Sequence, residues 1–131
     1  MSKEIDDATK NTIDEIFDKI AGPQSDETWS FLRKQSDREK ISDEDKLREN
    51  KDWEEIINVW WRAKESFKKA HDNLDLNKMI KKLQTMISCF TELIEVAEDE
   101  EASTMKGKLE KLRPSLVDAY DELENIKKSL K

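Results

Sequence analysis

Apolar positions recur along this chain at helical rather than strand spacing. Ile13, Ile16, Phe17 and Ile20 follow an i, i+3, i+4, i+7 order, Ile5 extends it, and Gly22-Pro23 stops it. A stronger stripe begins at Asn50. Trp53, Ile56, Ile57, Trp60, Ala63, Phe67, Ala70 and Leu74 line one side of a helix that would extend about 33 Å at the usual rise. Past the polar turn His71-Asp72-Asn73, the residues Leu76, Ile80, Leu83, Ile87, Phe90, Ile94 and Ala97 alternate four and three apart, the heptad spacing of coiled-coil packing. Met79, Met86, Cys89, Leu93 and Val96 widen that stripe beyond what one neighbour would cover, so this helix is expected to be central and packed on two sides.

The acidic run Glu98-Asp99-Glu100-Glu101 ends the central helix, and Ser103 or Thr104 is placed to cap the next. That helix carries Met105, Leu109, Leu112, Leu116, Ala119, Leu123, Ile126 and Leu130 in a narrow heptad stripe. Pro114 lies inside it without shifting the phase, which predicts a bend rather than a break. Between the first stripe and Asn50, Ser25 can cap a short helix and Ser36 with Glu39 forms a capping-box pattern. Few apolar residues accompany them beyond Trp29, Phe31, Leu32, Ile41 and Leu47, so residues 24–50 are expected to be short, broken helices, mobile in part.

The predicted fold is therefore all-α: an antiparallel helical bundle of three long helices, up-down-up, plus N-terminal helical segments. A chain of 131 residues suits one domain, with residues 51–131 as the three-helix core and 1–50 as acidic N-terminal segments. Composition supports this: only two Gly and two Pro leave too little turn chemistry for a sandwich or barrel. At 42% charged residues the chain would be expected to stay unfolded if its apolar residues were scattered, but they are not. No apolar run is long enough to cross a bilayer, MSKEIDD has no signal-peptide core, and Cys89 has no second cysteine to pair with, which together suggest the cytoplasm.

The net charge of −7 is unevenly placed. Residues 1–55 hold 17 acids and 10 bases, whereas residues 56–131 hold 14 of each. Within the balanced part, Arg62, Lys64, Lys68, Lys69, Lys78, Lys81 and Lys82 outnumber Glu65, Asp72 and Asp75, so a local basic patch is expected. Trp61 belongs to that stretch and is rotated roughly 130° from the centre of its helix's stripe, so it should not face the same core as Trp60. Either the first helix covers it as a fourth element, or it stands exposed among Arg62, Lys64 and Lys68 as an anchor for a partner.

Catalytic chemistry has little to draw on. His71 is the sole histidine, at a polar helix end beside Asp72, where a helix C-terminal charge is the simpler role. Cys89 sits between Ser88 and Phe90 without nearby bases and reads as a packing residue. Two Cys and His residues in total are too few for a zinc site, and Gly22 and Gly107 cannot form a phosphate loop, so no metal or cofactor is expected. The best enzymatic candidate is Glu92-Leu-Ile-Glu95 with Asp118 and Asp121. Its first half resembles the E-x-x-E helix of all-α nucleotide pyrophosphohydrolases, in which a magnesium-dependent E-x-x-D helix follows. Here Ser115-Leu-Val-Asp118 and Asp118-Ala-Tyr-Asp121 both depart from that motif at its first acid.

Three functional readings follow. The first is a non-enzymatic protein-interaction module, an adaptor, complex subunit or inhibitor of a basic partner site, using a helical surface around Trp61, Arg62, Lys64 and Lys68. The second is a nucleic-acid-associated subunit using the same face with Lys69, Lys78, Lys81 and Lys82. The third is the magnesium-dependent phosphohydrolase. Self-association through the 105–130 heptad face is a further option, and no membrane partner is expected.

Overall fold

The computed structural model describes residues 5–22, 25–32, 47 and 49–130. Five helices run through them: α1 (Asp7–Ala21), α2 (Ser25–Trp29), α3 (Lys51–Asp72), α4 (Leu76–Asp99) and α5 (Ser103–Ser129). The three long helices follow the three strong stripes, except that α3 runs through His71 to Asp72, so Leu74, expected to end its stripe, lies exposed in the turn. Antiparallel packing follows from their connections, which are three residues each and leave a helix nowhere to go but back along its predecessor.

Side chains start the helices by satisfying amides that the first turn leaves without partners. Asp6 accepts from Thr9 N at 2.7 Å, Asn50 from Asp52 N at 2.8 Å and Trp53 N at 3.2 Å, and Asp75 from Lys78 N at 3.1 Å. Two expected caps differ. α5 begins after Ala102, with no side-chain cap from Ser103 or Thr104. Its start is set instead by the preceding turn, where Ala102 N reaches back to Ala97 O at 2.8 Å and the Ala102 methyl is buried. Ser25 is the first residue of α2, not its cap, and its hydroxyl donates to Gly22 O at 2.6 Å. The Ser36 and Glu39 pattern, with Ile41, lies outside the described residues.

Both turns between long helices use the same device. Leu74 (φ 52°) and Glu101 (φ 57°) adopt the left-handed conformation, and the next residue's amide bonds to a carbonyl five residues back: Asp75 N to Ala70 O and Ala102 N to Ala97 O, each 2.8 Å. α5 runs unbroken past Pro114, as the heptad phase predicts.

α4 packs along both α3 and α5, the central position expected from its wide stripe. α1 lies against α3 and α5, which places it across the bundle from α4. Its Ile13, Ile16 and Ile20 are buried, and Phe17 stacks on Phe67 of α3 at 5.9 Å between ring centres. The centre is aromatic: Trp29 of α2 lies 5.4 Å from Trp60 of α3 and meets Phe90 of α4 edge-on at 5.6 Å. Trp29 Nε1 donates to Ile20 O at 2.8 Å, so the indole is satisfied while its ring fills the core. Leu32 and Leu47 are buried in the same core, although their surroundings carry no periodic pattern.

Candidate partner-binding surface around Trp61

Trp61 is half-buried, held by one hydrogen bond and by packing against its neighbours. Its Nε1 donates to Leu32 O at 2.6 Å, which ties α3 to the chain just after α2. The indole also meets Trp60 edge-on at 4.9 Å. Phe17, one of the α1 residues expected to cover it, stacks instead on Phe67 and on the imidazole of His71. One edge of Trp61 is thus held by backbone, and the ring borders an open groove of about 590 Å³ lined, among the described residues, by Trp61, Arg62, Glu65, Ser66 and Lys69.

The four residues singled out from sequence separate into different environments. Trp61 and Arg62 line the groove, and Arg62 is exposed. Lys64 is 5% exposed, and its Nζ lies 5.1 Å from the centre of the Trp61 ring, so it supports the indole rather than facing solvent. Lys68 is half-buried and outside the groove lining. Lys69 was assigned to this face only in the nucleic-acid reading, and Glu65 and Ser66 not at all, although with Arg62 the three fall at i, i+3, i+4 and i+7, one helical face legible from spacing alone. Arg62 and Lys69 make no ion pair among the described residues.

The basic patch expected from the sequence is divided in space. Lys78, Lys81 and Lys82 line a separate groove between α4 and α5, so they do not continue the Trp61 surface. His71 is engaged on two sides: Nε2 lies 2.8 Å from Asp14 Oδ1, and Phe17 stacks on the ring at 3.8 Å and 6°. The residue therefore clamps α1 onto the last turn of α3. Cys89 is buried, and burial first, with the nearby Glu92 carboxylate second, pushes its thiol up to about 11.

The carboxylates proposed for magnesium do not converge. Glu92, Glu95, Asp118 and Asp121 are all exposed, and no group of three or more metal-ligating side chains occurs among the described residues. Antiparallel pairing explains the separation. Glu95 lies in a groove with Glu110, Arg113 and Pro114, while Tyr120, between the two aspartates, is opposite Gln84 at 3.3 Å. Gln84 and Glu92 are two helical turns apart, about 12 Å. Tyr120 donates to Glu124 Oε1 at 3.1 Å, and that bond holds the phenol above its usual pKa, so it stays protonated.

Comparison with known proteins gives no match to a family model, a curated protein or a solved structure. The class defined by the fold is an all-α antiparallel bundle. No helix among the described residues is long and apolar enough to cross a membrane.

Proposed function

We propose that this chain is a protein-interaction module that receives a partner's segment in the groove along α3. The observation that carries this reading is an indole fixed at one edge by Leu32 O beside two cations, Arg62 and Lys69, that lack ion-pair partners among the described residues. A pre-positioned Trp loses little conformational freedom on binding, and Trp and Arg are the side chains that most often anchor protein interfaces. The matching segment carries an apolar side chain to lie against Trp61 and a carboxylate to meet Arg62, whose planar guanidinium suits bidentate pairing. Glu65 between the cations disfavours a purely acidic segment and gives the groove a mixed-charge register. The cytoplasm is the compartment that suits a bundle with one buried, unpaired thiol.

A photo-crosslinking amino acid placed at Ser66 tests this proposal. The expected result is a crosslink to one partner, abolished by Arg62→Glu with Lys69→Glu and retained with Lys10→Glu and Lys19→Glu, which change net charge equally. A partner that crosslinks from other surfaces but never from position 66 would reject the groove.

A further inference from the structure

A second groove, of about 700 Å³, lies between the start of α4 and the end of α5. Antiparallel pairing brings Lys78, Lys81 and Lys82 from the first two turns of α4 together with Lys127 from the last turn of α5. None of the four makes an ion pair among the described residues. Two acids share the groove and keep their charge: Asp75 accepts from Lys78 N as the cap of α4, and Glu124 accepts from the Tyr120 hydroxyl. Four lysines thus line one opening against two carboxylates, an excess of positive charge. Such an arrangement is self-repulsive when empty, and a multivalent anion relieves that repulsion.

We propose that this groove binds a small, soluble, phosphate-rich anion of the polyphosphate or phosphate-ester class. Three features support that chemistry. All the cations are lysines, compact point charges that bind phosphate oxygens without demanding a fixed planar geometry. The volume falls within the range of about 300–1,000 Å³ typical of small-ligand sites, and the Gln84 amide, one of whose hydrogens goes to the Tyr120 hydroxyl, keeps a second N–H at the wall. A long polyanion fits less well, because beyond the groove it would meet the exposed acids Glu92, Glu98 and Asp99 further along α4, in a chain of net charge −7.

Inorganic tripolyphosphate is the test probe, followed by titration calorimetry and by amide chemical-shift mapping at low salt. Shifts should concentrate in residues 77–84 and 120–127. Lys81→Glu with Lys127→Glu should weaken binding about tenfold or more, and the Gln versions of both by less, whereas Lys10→Glu with Lys19→Glu should leave it within about twofold. Helicity by circular dichroism should be unchanged in all of these variants, since the substituted lysines lie on the bundle surface. Equal weakening by the two Glu doubles, or shifts spread over the whole chain, would overturn the site. Tighter binding of a single-stranded oligonucleotide, with shifts extending to Arg62 and Lys69, would overturn the small-ligand assignment.

Discussion

The chain places its glycines and its left-handed turns at different residues. Leu74 and Glu101 occupy the positive-φ positions that glycine fills without strain, while Gly107 sits mid-helix with open space where a Cβ would be. A Cβ in the left-handed region costs about 1–2 kcal/mol, partly offset by glycine's larger entropy loss of about 0.5–1 kcal/mol. Leu74→Gly and Glu101→Gly are therefore each expected to stabilise the fold by about 0.5–1 kcal/mol in urea denaturation. Gly107→Ala should also stabilise it, by about 1 kcal/mol from helix propensity. Gly22→Ala should do the reverse, because a Cβ there would lie 2.8 Å from the Asp18 backbone. The polar runs at 71–73 and 98–101 located both turns in the sequence, but without glycine or proline nothing marked Leu74 or Glu101 as the left-handed residue. Cys89, by contrast, was legible as packing, and with its thiol raised to about 11 it should react with a thiol reagent only as the protein unfolds.

At the scale of elements, legibility followed periodicity. The stripes of α3, α4 and α5 repeat often enough to give both the helices and their burial, including the central place of α4. α2 spans five residues, too few for any period, and its key side chain is a single tryptophan. Trp29 joins three elements through Trp60, Phe90 and the Ile20 carbonyl, a role set by tertiary contact rather than by local pattern. Trp29→Ala should accordingly cost about 3–5 kcal/mol, at the level of the long helices' own core residues, and be read as a loss of midpoint in denaturant. The candidate groove was half-legible. Trp61 stood out by its angle on α3, but what holds it is the Leu32 carbonyl, and a backbone acceptor carries no side-chain signature. At α1, the Asp6 cap bonds to Thr9 and has a lowered pKa, first from the Thr9 side chain and then from its amide. A carboxylate whose pKa falls on folding contributes stability that is present above its unfolded value near 3.8 and lost as pH drops through the lower folded value. Asp6→Asn should keep the cap and flatten that acid limb.

For the whole molecule, the question is what the fourth side of the bundle does. α3, α4 and α5 alone would form a bundle open along the side across from α4, and α1 closes it with Ile13, Ile16 and Ile20 while His71 and Asp14 hold it in place. The α5 residues Met105, Leu109, Leu116 and Leu123, which as a bare heptad could pair with a second copy, are buried at 1% exposure or less within one chain. Self-association should therefore depend on α1. The full chain is expected to sediment as a monomer across a wide concentration range, whereas a chain lacking residues 1–22 should show concentration-dependent dimerisation, because removing α1 uncovers apolar surface that water disfavours. Adding a peptide of residues 1–22 should return the shortened chain to monomer by competing for the same surface. His71→Ala in the full chain should produce an intermediate shift, since it removes the Asp14 bond and the Phe17 stack but leaves the apolar face of α1 intact. A full chain that is already dimeric at the lowest concentration would mean that copies pair through a surface α1 does not cover.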